Sequence, residues 1–460
     1  LVIQSLITNY QLPITRIPHT NAPPSWSGIL FSQICYTADS NAMNILRAFT
    51  HRPFALLWTG QTISRLGDNL HRITLAWWVL EKTGSATAMG TVLVLSQIPL
   101  LLFILIGGIV VDRFPRIRIM FLSDLLSGTV VTFIAVFAWL DVLEIWHIYV
   151  ASLIFGFVEA FFFPAYNAVI PQITPPDMLT SANSLNGLSQ RMMGVIGPII
   201  GASLVAVGGT SLAFGLDALS FFISALCVFL ILRMGLKDIL KTEGEVGTPA
   251  KPHSVRETIR QGIADLREGW GAVVTVPWIW ITILIFGILN IMEGSPRAVS
   301  MPFLIKDDLG ADVAVMGWFG SAFSVGYVFS ALWLGQYKRL RHRGLLGYLS
   351  VLINGVLLLL FGLKLPIPVL IAAMFVYGFC FNVFGLVWNN TLQEMVPHDK
   401  LGRVYAIDSL GSWVLLPIGF ALAGWGTDLV GASTVFLIGG AGTILMILLG
   451  LTHPAIRNLD

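Results

Sequence analysis

Long apolar runs, each about the length of a membrane-crossing helix, alternate with short polar breaks along most of this chain. A membrane-spanning helix needs about 20 mostly apolar residues. Twelve stretches meet that demand. The first six cover residues 54–80, 85–111, 117–140, 144–170, 180–207 and 210–232. The second six cover residues 276–301, 312–336, 344–363, 367–390, 404–427 and 432–451. Pro99, Pro164, Pro198 and Pro417 fall inside them, which a membrane helix tolerates where its neighbours satisfy the freed backbone groups. The pattern predicts an all-α membrane protein of twelve transmembrane helices in two six-helix pseudo-repeats, residues 54–232 and 276–451.

Between the halves lies one long polar loop, 233–275. Val255, Ile259, Ile263, Leu266 and Trp270 recur in it at helical spacing. Arg256, Glu257, Arg260, Arg267 and Glu268 take the other faces. This predicts an amphipathic helix, lying on the membrane surface or docked on the bundle. Residues 1–53 read as an N-terminal tail. Their first 42 residues are polar, aperiodic and punctuated by Pro13, Pro18, Pro23 and Pro24. They lack the pattern of a cleaved signal peptide. They read either as a disordered segment or as an extension ahead of a native start at Met43. Residues 452–460 form a short C-terminal tail.

Composition narrows the class. Of 460 residues, 55% are hydrophobic and 11% charged, and mean hydropathy is +0.80. A soluble protein carries about 25% charged residues, so there are too few here to coat soluble domains, and a soluble enzyme is excluded. The net charge of +2 comes without a basic stripe, so nucleic acid is not expected as a partner. Cys35, Cys227 and Cys380 suggest neither a disulfide framework nor a thiolate zinc site. The eight histidines are scattered without catalytic or metal-ligand spacing, so no metal, cofactor or membrane-embedded enzyme is predicted.

Charge sets the expected orientation. With the N-terminus placed in the cytoplasm, twenty of the 27 Lys and Arg fall on the cytoplasmic side. Lys82, Lys306 and Lys364 fall outside, and Arg65, Arg72, Arg191 and Arg297 lie within membrane segments. This is the positive-inside bias. It predicts a multi-pass protein of the cell membrane with both termini cytoplasmic. A faint repeat supports the division into halves: Asn167, Pro175, Asp177 and Leu179 recur as Asn389, Pro397, Asp399 and Leu401. Parallel repeats of this kind place a substrate site at their interface near the bilayer midplane.

Between helices 2 and 3 the chain reads GGIVVDRFPRIR, with Gly107, Gly108, Asp112, Arg113 and Arg116. The glycines permit close helix approach, and Asp112 can pair with a basic residue or cap a helix across that contact. Such a contact can hold one side closed and break when that side opens. Asp124, near the same end of helix 3, is a candidate partner for Arg113 or Arg116. This loop resembles the motif between helices 2 and 3 of the major facilitator superfamily, and the resemblance covers about residues 54–451. The equivalent second-half loop, GQYKRLRHR from Gly335, keeps the basic residues but lacks the acid.

Helix 5 contains Gly194, Gly197, Pro198 and Gly201. Gly197 and Gly201 make a small-residue packing face. The segment is similar to the helix-5 motif of the antiporter branches of that superfamily. It departs from it at Ala202, where a further glycine is common. The start of helix 1, LWTGQTISRLGDNL, with the following TGS, looks like the macrolide-efflux and enterobactin-exporter group.

Charges inside the bilayer are costly, about 2.5–3.5 kcal/mol or more each, and usually mark a function or a pair. Helix 1 carries Asp68 with Arg65 and Arg72 at helical spacing, predicting one shared face. Glu159 and Arg191 lie on helices 4 and 5, and Glu293 and Arg297 stand four apart on helix 7. These seven are the candidates for proton coupling or substrate binding. A carboxyl in such a setting can take up and release a proton as its surroundings change. Asp217 reads as close to the outer end of helix 6. Trp58, Trp77, Trp78, Tyr166, Trp318, Phe323 and Trp388 are candidate aromatic linings of an apolar cavity. The resemblance implies a monomeric, proton-coupled exporter of an amphipathic small molecule, a drug, macrolide or siderophore, moved by alternating access. Rival readings are an importer of the same fold and the membrane subunit of an ATP-driven exporter. The chain itself has no phosphate-binding Gly-rich loop.

Overall fold

The computed structural model describes residues 46–234, 267–337 and 341–460. Most of the central loop lies outside these residues, including the predicted amphipathic helix up to Leu266. Its last positions are helical over 267–274, where Glu268 pairs with Arg403 at 2.8 Å.

The first four long helices are α1 (Arg52–Thr83), α2 (Ala86–Arg113), α3 (Arg116–Trp139) and α4 (Ile145–Ile173). A continuous helical run, Leu179–Arg233, is broken at Gly209, whose φ of 72° and ψ of 177° suit only glycine. Its two arms, before and after Gly209, are α5 and α6. Helix α7 runs Pro277–Leu289, widens into a π turn at Asn290–Gly294, resumes as Ser295–Val299 and continues in short turns to Asp308. Then follow α8 (Val313–Leu334), α9 (Arg343–Gly362) and α10 (Ile367–Met395). Helix α11 comprises His398–Trp413 and Leu416–Val430, and α12 is Ala432–Thr452.

Ten of the described helical segments are long and apolar enough to cross a membrane by themselves. One of the ten contains both α5 and α6. Helix α1 is long enough at 32 residues, but Arg65, Asp68, His71 and Arg72 make its centre too polar to count by hydropathy. The twelve predicted segments thus each have a helix. The prolines and glycines place the ends. Gly84 and Gly431 take positive φ at turns, while Pro175 and Pro397 precede α5 and α11 with nearly identical backbone angles, −55°/143° and −53°/137°. The first helix starts at Arg52, behind a short turn at Arg47–Thr50 that buries Ala48. The predicted tail, residues 1–53, includes this turn.

Helices α1–α6 pack mainly among themselves, as do α7–α12, and the two groups meet chiefly through α2 against α11 and α5 against α8. The apolar interior is asymmetric along the bundle. At the end formed by the α1–α2, α3–α4, α7–α8 and α11–α12 turns, one cluster runs through both groups, joining Trp77, Met89 and Phe214 to Phe303, Phe361 and Phe436. Here this is the far end. At the near end, which carries Arg47 and the C-terminal Asp460, each buried cluster stays within one group. The halves are therefore sealed together at the far end and separated by a cleft at the near end.

Candidate functional site

The polar side chains of α1 and α4 mark the middle of that cleft. Asp68, Arg72 and Glu159 are exposed although each stands deep within its helix. A charge facing hydrocarbon is strongly disfavoured, so these three line a polar space between the groups. Asp68 lies within electrostatic reach of Asp217, Arg72, His71 and Glu159.

The predicted shared face of Arg65, Asp68 and Arg72 forms only in part. Arg65 turns away and donates to Asn186 Oδ1 at 2.7 Å, to Ser189 Oγ at 3.2 Å and to Tyr166 Oη at 2.8 Å. Tyr166 closes the network by donating to Asn186 Oδ1 at 2.5 Å. Neutral acceptors on α4 and α5 thus take up the guanidinium, whose hydrogen bonds would otherwise be unmet in the bundle. Asp217 stands about two turns into α6, at the expected end, but is not solvated there. It is fully buried, with Oδ2 2.8 Å from His71 Nδ1 and Oδ1 without a hydrogen-bond partner among the described residues. His71 escaped the sequence reading because one histidine in an amphipathic run carries no spacing signal.

Asp124 does not serve the loop between α2 and α3. It is buried and accepts from Ser224 of α6 at 2.7 Å, and Ser224 accepts in turn from Gln61 of α1. Asp124 stands two turns into α3, too deep for Arg113 or Arg116 at its mouth. Asp112 is exposed and makes no ion pair among the described residues. Of the two glycines before it, Gly107 lies against Ala160 of α4, where a Cβ would stand 2.0 Å from the carbonyl oxygen, whereas Gly108 faces open space.

On the other side of the cleft, Glu293 and Arg297 do not pair with each other. The π turn holding Glu293 alters the register that four-residue spacing assumes. Glu293 is 7% exposed and accepts from Tyr377 Oη and from Asn354 Nδ2. Arg297 lies over Phe323, Tyr377 and Phe381, 5.0, 4.9 and 5.5 Å from the ring centres. Arg191 is exposed and lies 4.1 Å from the ring centre of Tyr327 on α8, a contact between the groups. Of the predicted aromatic linings, Phe323 touches this charge network directly. Trp58, Trp77 and Trp388 instead spend their indole N–H on Leu185 O, Glu81 and Asp408.

The helix-5 motif packs in two directions. A Cβ on Gly197 would lie 2.6 Å from Asn69 Cβ, and one on Gly201 3.3 Å from Leu70 Cα, so these two glycines seat α5 on α1. Pro198 and Ala202 face Gly317 of α8. Gly194 lies beside Ser324 of α8, and Ser321 of α8 donates to Val195 O at 2.6 Å. The other contact between groups has a polar closure that the sequence reading missed. At the far end, Asp428 of α11 accepts from Ser85 Oγ at 2.8 Å, Ala86 N at 2.6 Å and Thr87 N at 2.9 Å, capping α2 from across the interface. Below it, Gly90 and Gly424 bring the two backbones together.

The sequence profile of the Major Facilitator Superfamily matches residues 57–296 and 288–458. The chain belongs to the Major Facilitator Superfamily. It is a multi-pass membrane transporter of small molecules, not an enzyme. Among characterised relatives it is 25% identical over 414 residues to macrolide efflux protein A of Streptococcus pyogenes, covering 88% of this chain and 97% of that one. It is 25% identical over 418 residues to the multidrug efflux pump Tap of Mycolicibacterium fortuitum, covering 89% and 97%. Solved structures share its fold. A bacterial homologue of the iron transporter ferroportin in an inward-facing state superposes with a TM-score of 0.67 at 15% identity, covering 87% of this chain and 98% of that one. The nucleoside transporter NupG gives 0.64 at 15%, covering 87% and 98%.

Proposed function

We propose that this superfamily member exports an amphipathic small molecule, such as a drug, macrolide or siderophore, in exchange for protons, by alternating access. The observation that carries the reading is the cleft itself. Asp68, Arg72 and Glu159 stand exposed at mid-helix between groups whose shared apolar core lies at the far end. Full-length similarity to efflux proteins supports the outward direction. Asp68 is the preferred proton carrier, because it faces the cleft with Arg72, His71, Asp217 and Glu159 in electrostatic reach. Asp112 serves as the near-end gate acid, free in this open-near-end arrangement and engaged when that end closes. The basic-residue bias supports a cytoplasmic near end, with residues 54–232 and 276–451 as the two moving halves. The protein in this conformation is then ready to load from inside.

Purified protein in liposomes tests the reading. An imposed pH gradient, with no ATP, should drive concentrative transport of a macrolide or an iron-free siderophore, and collapsing the gradient should abolish it. Accumulation that needs ATP or ignores the gradient would overturn proton coupling. For orientation, a cysteine at Lys306 should react with an impermeant thiol reagent added outside cells, and one at Glu257 should not. The reverse pattern would invert the direction argument.

A further inference from the structure

Arg191 of α5 and Arg297 of α7, one from each half, differ from Arg65 and Arg47 in how they spend their hydrogen-bond donors. A guanidinium has two flat faces and an edge of five N–H donors. Arg65 spends its edge on Tyr166, Asn186 and Ser189. Arg47 spends its edge on Asp177. Arg191 and Arg297 each rest a face on aromatic rings. Neither donates a hydrogen bond nor joins an ion pair among the described residues. The acid nearest to Arg297 in sequence, Glu293, is occupied by Tyr377 and Asn354.

The rings beneath them form one array. Phe323 lies 6.5 Å from Tyr327, 6.0 Å from Tyr377 and 5.7 Å from Phe381, centre to centre. Arg191 stacks at the Tyr327 end and Arg297 at the Phe323, Tyr377 and Phe381 end. The array therefore links a cation of one half to a cation of the other. Phe381 also keeps 43% of its surface exposed, leaving apolar area for a ligand's body. Stacking fixes the plane of each guanidinium and leaves its edge for a partner in the cleft. The partner that satisfies a planar fork of N–H donors in a partly desolvated site is an anion with paired oxygens.

We propose that Arg191, Arg297 and the array of Phe323, Tyr327, Tyr377 and Phe381 form the cargo-recognition surface. It selects an aromatic or apolar body carrying a carboxylate, sulfonate or phosphate. Arg297, the less exposed of the two, holds the anionic group, and Arg191 makes the first contact. As a substrate class, this rests on the exporter reading, whereas anion binding itself does not.

Two xanthene dyes of similar body and opposite charge test it: 5-carboxyfluorescein, an anion, and rhodamine 6G, a cation. Fluorescence polarisation on the detergent-solubilised full chain should show 5-carboxyfluorescein bound at least tenfold more tightly than by Arg297→Gln. The Arg191→Gln variant should weaken it less, and Arg297→Lys should lie between parent and Arg297→Gln because it keeps charge but not the planar fork. Rhodamine 6G binding should be unchanged or improved in all three. Equal loss of both dyes would assign the arginines a structural role and overturn the proposal, with size-exclusion monodispersity excluding misfolding as the cause. So would 5-carboxyfluorescein binding that is no tighter in the parent than in a variant carrying both Arg191→Gln and Arg297→Gln. Intact, arginine-dependent anion binding without pH-driven transport would overturn the exporter reading and leave this one standing.

Discussion

Removing the carboxylate that caps α2 across the interface should open the far end. Asp428 accepts three hydrogen bonds from the first turn of α2 and its cap, at 2.6–2.9 Å. The helix N-terminus adds an attraction for negative charge of about 0.3–1 kcal/mol. Hydrogen bonds to a charged acceptor are worth about 1.5–3 kcal/mol each when shielded. Asp428 is exposed, so water competes for it once the groups part, and its net contribution to closure falls to about 1–3 kcal/mol in all. That corresponds to a shift of about 5- to 150-fold between closed and open far ends. Asp428→Asn keeps the shape and one acceptor oxygen and should show most of this shift. Asp428→Glu should show less of it. Spin labels on cysteines replacing Val207 and Leu429, 90% and 64% exposed on α5 and α11, should report the change by double electron–electron resonance. The longer inter-label distances should gain population in Asp428→Asn, more at low salt. Unchanged distance distributions in both Asp428→Asn and Asp428→Ala would refute the cap as a determinant of closure.

Three further outcomes are expected. Gly424→Val should express and insert yet fail to transport, because a Cβ there would stand 2.6 Å from the carbonyl oxygen of Ala86 and hold the far ends apart; normal turnover would show that the two backbones can separate without cost. Asp68→Asn should still exchange cargo down its gradient but lose accumulation driven by pH, and near-parent accumulation would pass the proton to Glu159 or Glu293. Asp308, in the last turn of α7, is pushed up by burial but held below the ordinary carboxylate range by hydrogen bonds from Lys364 and Ser433 and by the charge of Lys364. Such a group stabilises the fold above its unfolded value and loses that contribution as pH falls through its folded one. The gap in thermal stability between parent and Asp308→Asn should therefore be full at neutral pH and close only in acid below about pH 4, and a gap that widened on acidification would contradict it.

The helices were legible because twelve apolar runs and their Gly and Pro punctuation are properties of consecutive residues. Where reading failed, partner choice had depended on residues far apart in the chain. Helical spacing put Arg65 beside Asp68, yet Arg65 found Tyr166, Asn186 and Ser189, at separations of 101, 121 and 124 residues. Four-residue spacing paired Glu293 with Arg297, but the π turn changed the register and Tyr377 captured the carboxyl. Asp124 was drawn to the near-end loop by proximity in sequence and is held instead by Ser224, 100 residues away. Asp428 gave no signal at all, since an acid in a polar turn is unremarkable until the N-terminus of α2 is seen to lie against it. Hydrophobic period predicts which face is buried but not which polar group that face meets.

The two contacts between the groups are built differently, and the difference bears on how the halves can move. Where α5 meets α8, the contact is distributed along the helices. It runs from Arg191 on Tyr327, past Gly194 beside Ser324 and Ser321 on Val195 O, to Pro198 and Ala202 against Gly317. Where α2 meets α11, polar closure is concentrated in Asp428 at the tip, with Gly90 and Gly424 below it. A long contact of small residues and one stacked cation can slide or rotate by small amounts while keeping most of its neighbours. A cap made by one carboxylate on a helix N-terminus is directional and is lost within a small displacement. Packed surfaces tend to switch between discrete arrangements rather than deform continuously. The α5–α8 seam is thus suited to act as the pivot and the α2–α11 tip as the contact that makes or breaks. On that geometry the cargo-facing arginines straddle the pivot, where the distance between Arg191 and Arg297 changes least per degree of rocking. A cargo held there could stay bound while the cleft changes sides.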